Sequence, residues 1–392
     1  MTSIITAKER VETALAHQEP DRVPVGEMGI DYPMVELVLG HETYYRAQGK
    51  ERAAIWAGRR DEVVRSQKED LVAVVRALEW DIVPVWLTYS DRVDYHPRRF
   101  LSEDKLKWED AQGDVWQATD EAGDALCIDS REIVPAVLEE MLNTSPRIDE
   151  SQLELVDHVI RELGETHFIV ARGWHGPPTW TDGSFPVPGE GLSMPIDKFL
   201  ITMYEDPAFV HSILSAYTKW AIDHAKILID AGVDAVQLNA DYCINTGPWL
   251  SPAQFAEFIL PYMQQQVDAF KQEGIFVLKH TDGRTWPLLD MMVDTGIDAL
   301  HGIQPSVGMD IRRLKEEVGD RVALFGAIEA EALINGTPED VEREVAYCLA
   351  HAAPGGGFVL TTSNSVQVGT KYENYMTMVR VAREMGNYPI GR

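Results

Sequence analysis

The sequence predicts an α/β fold, a (β/α)8 TIM barrel with a hairpin-rich insertion after strand two, and three observations carry that prediction. Short apolar runs rich in Val, Ile, Leu and Phe are each followed by a longer stretch of helical periodicity, the mark of parallel strands joined by crossover helices. Eight such runs can be counted along the chain, and eight is the strand number of the barrel. The composition is globular, with 45% hydrophobic and 25% charged residues, which excludes disordered, collagen-like and coiled-coil chains. The 392 residues show no 20–50-residue repeat, Gly/Ser linker or low-complexity tract, so one unit over 1–392 is the expected organisation.

In chain order the runs are Val23-Pro24-Val25, then Ile82 to Leu87, Phe168 to Ala171, Ala235 to Leu238, Ile275 to Leu278, Ala299 to Ile303, Val322 to Phe325, and Phe358 to Leu360. Pro24 and Pro84 weaken the first two, because proline gives no donor to a ladder. Between the runs, Ser251-Pro252-Ala253-Gln254 reads as a capping box with Pro at the first helical position. The helix it starts runs to about Gln272, and Pro261 should kink or split it. Thr337-Pro338-Glu339-Asp340 repeats the device before a helix carrying Val341 to Ala350. Residues 91–134, with Gly113, Gly123 and acids around Glu109-Asp110, read as the hairpin-rich insertion. The stretch from Gly173 to Pro195, dense in Gly and Pro, reads as a long loop of the kind used for lids or binding. Pro354-Gly355-Gly356-Gly357 precedes a strand instead of opening a helix, so it is read as a turn and not a phosphate loop.

The net charge of −28 repels nucleic acid, anionic membrane and polyanionic substrates, so no nucleic-acid partner is expected. Cys127, Cys243 and Cys348 form no CxxC pair and no disulfide framework, which points to a reducing cytoplasm. The first ten residues lack a basic stretch followed by an apolar one, and no apolar run reaches the roughly 18 to 20 residues of a membrane span. Neither a secretory signal nor a membrane partner is expected.

In a barrel the chemistry gathers at the C-terminal strand ends. Here those ends supply Asn239, Asp241 and Tyr242, then His280 and Asp282, then His301 and Gln304, then Glu329, then Asn364. Residues two apart on an extended chain point the same way, so His280 and Asp282 could share a divalent ion or form an acid/base pair. The plainer alternative has Asp282 opening a turn with Gly283 and His280 hydrogen-bonding within the barrel. Asp241 and Glu257 could join His280 as an Asp/Glu/His metal set, although a helical glutamate is more often a solvated surface acid. Arg172, after the third run, could clamp a carboxylate or serve a structural ion pair. Trp86, Trp174, Trp180 and Trp249 could wall an aromatic pocket, and core packing explains each of them equally well.

Several motifs together resemble the uroporphyrinogen decarboxylase superfamily over nearly the whole chain. They are Lys8-Glu9-Arg10-Val11 with Pro20-Asp21-Arg22-Val23-Pro24-Val25, Lys279-His280-Thr281-Asp282-Gly283, Leu300-His301-Gly302-Ile303-Gln304-Pro305, the Gly326-centred strand, and Gly355 to Leu360. The resemblance implies a (β/α)8 barrel and either of two chemistries, tetrapyrrole decarboxylation or cobalamin-linked methyl transfer. The decarboxylases carry an Arg-rich segment where this chain reads Gly26-Glu27-Met28-Gly29-Ile30-Asp31, and Glu27 would repel a multiply anionic substrate. The thiol-methylating branch binds zinc with a His-x-Cys pair and a later Cys. Here Asp282 and Ser363-Asn364 stand at those places, leaving harder oxygen donors.

The resemblance therefore runs closest to the methyltransferase component of corrinoid-dependent O-demethylases. It implies a small methyl ether, a methoxyaromatic, as methyl donor, a corrinoid on a separate protein as acceptor, and Zn2+ as a metal ion. His280, Asp282 and Asp241 are then the expected catalytic residues, and His280, Glu257 and Asp241 the metal set. Asn239, Tyr242, Gln304, Glu329, Asn364, Trp86, Trp174 and Arg172 would surround the substrate, and a homodimer is among the assemblies expected. A decarboxylase of a tetrapyrrole or related acid and a non-catalytic ligand-binding barrel stay as alternatives.

Overall fold

A computed structural model describes residues 5–118, 125–129, 132–145, 147–173 and 196–390. Trp174, Trp180 and nearly all of the predicted 173–195 loop lie outside them.

The first barrel strand of the sheet is Ile82–Val85 (β1). The insertion follows as Arg99–Phe100 (β2), Lys107–Glu109 (β3), Val115–Ala118 (β4) and Ala125–Asp129 (β5). Next come Phe168–Gly173 (β6), Ala235–Asn239 (β7), a small hairpin of Cys243–Ile244 (β8) and Gly247–Pro248 (β9), and Phe276–His280 (β10). Ala299–His301 (β11), Ala323–Ile328 (β12) and Phe358–Thr362 (β13) complete the set. The barrel strands pair in parallel in the order β1-β6-β7-β10-β11-β12-β13.

The run around Val25 closes this seven-stranded sheet. Val25 bridges Leu360 of β13 and Gly26 bridges Ile82 of β1, both in parallel. Pro24, without an N–H, still accepts from Leu360 N at 2.9 Å, so this eighth strand joins by single bridges instead of a ladder. An ionic knot fixes it. Asp81, 1% exposed, takes Arg10 Nη1 at 2.6 Å and Arg22 Nη1 at 2.7 Å, and it also accepts from Val25 N at 2.8 Å. The Arg10 and Pro20-Asp21-Arg22 motifs thus serve barrel closure.

Side chains alternate across the wall. Ile82, Phe168, Val170, Ala235, Leu278, Ala299, Ala323, Phe325 and Val359 fill the lumen. Val83, Ile169, Val236, Val277, Leu324 and Leu360 face outward against the helices. The capping box at Ser251 forms, with Gln254 N at 3.2 Å from Ser251 Oγ. The helix then splits, as a π-turn over Phe255–Ile259 separates Pro252–Gln254 from Leu260–Gln272. Pro261 gives the carbonyl four residues back no donor, and the widened turn relieves the resulting clash. The insertion is a four-stranded antiparallel sheet, β2-β3-β4-β5, whose Trp108 and Trp116 lie opposite each other. Trp108 packs edge-on against Trp56 at 5.2 Å, which seats the sheet on the Gln48–Trp56 helix. Among the described residues no helix is long and apolar enough to cross a membrane.

Candidate functional site

Parallel register builds the floor of the mouth. Asn239 pairs with His280 across β7 and β10, and His280 pairs with His301 across β10 and β11. These three side chains therefore enter the lumen in one layer. Past the strand ends come Asp241, Asp282 and Gln304. Two glycines allow the close packing there. At Gly302, with φ +92°, a Cβ would lie 2.5 Å from Thr281 O, and at Gly283, with φ +83°, it would lie 2.7 Å from the carbonyl carbon of Cys243.

His280 Nε2 stands 3.8 Å from Asp241 Oδ1 and 3.9 Å from Asp282 Oδ2. One ligand atom from each of the three residues falls within 4.8 Å of the others. The Asp282 amide donates to Asp241 Oδ1 at 3.0 Å, and Asn364 Nδ2 donates to Asp282 Oδ2. Gln304 Oε1 accepts from Gly283 N at 3.2 Å. Solvent reaches the group from one side, as the side chains grade from 53% exposed at Asp241 to 25% at Asp282 and 13% at His280. A pocket of about 610 Å³, lined by Cys243, the 244–246 turn, Asp282, Gly283 and Gln304, opens beside it.

Burial, reinforced by the neighbouring Asp241, pushes the Asp282 carboxyl well above the usual range. Burial, with Lys279 and Arg172 nearby, pushes the His280 imidazole down to about 3, so it is neutral at pH 7. Two converging carboxyls beside a neutral imidazole call for a shared positive charge, either a proton or a cation. One nitrogen and two oxygen donors with an open side fit a divalent ion such as zinc.

Behind this group lies Lys279, fully buried. Its Nζ donates to Ala240 O at 2.8 Å and to His280 O, and lies 3.5 Å from Leu238 O. One ammonium thereby ties the end of β7 to the end of β10, fixing the main chain that presents Asp241 and His280. Burial lowers it to about 7.

The other expected site residues are placed differently. Glu257 is exposed on the π-turn and stands outside the group of three, in which Asp282 supplies the third donor. Tyr242, one residue past Asp241, faces the outer layer. It is fully buried, edge-on to Phe255 at 5.1 Å, with Lys279 Nζ 4.6 Å from its ring centroid. Trp86 is half-buried, 5.4 Å from Tyr45. Glu329 Oε2 accepts from Ser306 N at 2.9 Å beside the mouth. Arg172, at the end of β6, donates to Met28 O. Its Nη1 and the Arg46 guanidinium carbon both lie 3.0 Å from where a Cβ on Gly29 would sit. Glu27 is fully buried against Thr362, whose face of β13 is that of Phe358 and Leu360, on the outer side of the wall. Glu27 therefore does not face the lumen, and the repulsion expected of it there is not available. His301 is among the polar strand ends expected to converge on the mouth, whereas Gln237 and Lys279 escape a reading by residue type, since only the strand register shows what each one touches.

The uroporphyrinogen decarboxylase (URO-D) family model matches residues 153–385. The chain is 30% identical over 223 residues to a uroporphyrinogen decarboxylase of Hydrogenovibrio crunogenus, a match covering 54% of this chain and 58% of that protein. It is 30% identical over 251 residues to one of Vibrio cholerae, covering 60% and 65%. The matched stretches thus span about three-fifths of these relatives' own length. Among solved structures, a methyltransferase from Methanosarcina mazei superposes with a TM-score of 0.63 at 18% identity, covering 97% of this chain and 99% of that one, which shows a shared fold. With the family model extending over more than half of its length, this chain belongs to the URO-D family.

Proposed function

We propose that this protein is a cytoplasmic methyltransferase that takes the methyl group of a small methyl ether, a methoxyaromatic, and passes it to the cobalt(I) of a separate corrinoid protein. The observation that carries this reading is the convergence of Asp241, His280 and Asp282 at the open end of the barrel. In the reaction cobalt(I) supplies the electron pair of the new bond to methyl carbon, the C–O pair goes to oxygen, and that oxygen takes up a proton. Ether oxygen is a poor leaving group, so the site must stabilise it as the bond breaks. A zinc ion held by Asp241, His280 and Asp282 would supply a Lewis acid for that oxygen. The chain's own residues orient the donor, with the amides of Asn239, Gln304 and Asn364 around it. Arg172, at the end of β6, is the basic side chain that would meet a single carboxylate on the donor. The net charge of −28 opposes the approach of a tetrapyrrole's many carboxylates.

Decarboxylation of a tetrapyrrole or related acid is the second reading, favoured by the names of the curated relatives at 28–30% identity. Product analysis separates the two. Supplied with reduced corrinoid protein and a panel of methoxyaromatics, the purified protein is expected to yield the free phenol of at least one donor, and with a porphyrinogen it is expected to release no CO2. Porphyrinogen decarboxylation without phenol formation would overturn the proposal.

A further inference from the structure

Beneath the candidate centre, two buried side chains face the inner edge of His280. His280 Nδ1 and His301 Nδ1 are 2.8 Å apart, and Gln237 Nε2 lies 3.4 Å from the same His301 nitrogen. His301 is 1% exposed and Gln237 is fully buried.

Two ring nitrogens 2.8 Å apart must share one hydrogen. Two N–H groups would collide, and two bare lone pairs would repel without a bond between them. The amide nitrogen of Gln237 can only donate. With the amide in this orientation, donation from that nitrogen needs a bare His301 Nδ1, which makes His280 Nδ1 the protonated partner. A neutral imidazole with a proton on Nδ1 has its lone pair on Nε2, the atom that faces Asp241 and Asp282 at 3.8 and 3.9 Å.

We infer that Gln237 and His301 are positioning residues which lock His280 in its Nδ1–H tautomer, so that its Nε2 lone pair is presented to the mouth. The inference deepens the metal reading proposed above, since a metal-binding histidine commonly donates its second ring N–H to a fixed partner. The opposite tautomer would aim an N–H at the two carboxylates and leave no nitrogen donor for a cation.

The test is 15N spectroscopy of the full chain labelled at its 11 histidines, with His280 assigned by the signals lost in His280→Ala. Wild-type His280 is expected to show a protonated Nδ1 and a bare Nε2 at pH 7. In His301→Phe and in Gln237→Met, each first shown to keep the wild-type circular dichroism, that single tautomer is expected to give way to a mixture. His301→Asn, which restores an acceptor, is expected to return part of the Nδ1–H form. Zinc titration of the same samples should show affinity falling about 10- to 100-fold in His301→Phe. A wild-type His280 protonated on Nε2, or a tautomer left unchanged by both His301→Phe and Gln237→Met, would overturn the inference. An Nδ1–H wild type that binds no zinc would uphold the tautomer lock and sink the metal reading alone.

Discussion

Glu27 shows what burial does to a single acid in this wall. One carboxylate oxygen accepts from Thr362 N at 3.1 Å and from Thr362 Oγ1 at 2.7 Å, while the other has no hydrogen-bond partner among the described residues. Burial pushes the carboxyl from its ordinary 4.5 up to about 8, so it is neutral at pH 7. The folded chain then keeps a proton that the unfolded chain releases between those two values. The contribution of this group to stability falls as pH rises from 4.5 to 8, by on the order of 5 kcal/mol at most. Glu27→Gln is expected to remove that contribution and to raise Tm at pH 9 relative to wild type, as calorimetry across pH would show. An unchanged pH slope in the variant would count against a neutral Glu27. Among the site residues, the two-residue spacing of His280 and Asp282 made their common direction readable from sequence. The third donor was not fixed that way, because whether Asp282 or Glu257 completes the group depends on how the π-turn carries Glu257 to the surface.

At the scale of elements, the closing strand depends on one carboxylate. Asp81 holds Arg10, Arg22 and Val25 N together in a buried setting. Asp81→Ala would leave Arg10 paired with Asp21 and Val25 N without its acceptor, and it is expected to cost about 1–3 kcal/mol in urea unfolding. A loss under about 1 kcal/mol would show that the knot is dispensable. The alternation of apolar runs with helical periodicity made the barrel legible, since a strand buried on both faces must be apolar throughout. The fragility of the first strand was legible too, through Pro24. The length of the π-turn was not, because a proline signals a break in the helix without saying how the preceding carbonyls will rearrange. The link between Lys279 and the carbonyls of β7 was equally hidden, since it joins residues about 40 positions apart.

At the scale of the molecule, the excess of 63 acids over 35 bases sets a negative field that works against compactness. Screening should relieve it. Raising ionic strength from about 10 mM to 150 mM shortens the Debye length from ~30 Å to ~8 Å, and Tm is expected to rise over that range. A Tm that falls would mean that the surface ion pairs outweigh the net repulsion. The same acidity frames the central claim, that a barrel mouth holding Asp241, His280 and Asp282 moves a methyl group and does not gather a polyanion. The most direct measurement follows the visible spectrum of a reduced corrinoid protein mixed with this chain and a panel of methoxyaromatics. At least one donor is expected to convert cobalt(I) to methylcobalt with wild-type protein, and His280→Ala is expected to abolish the conversion. Failure of every donor to methylate cobalt, or full conversion by His280→Ala, would contradict it.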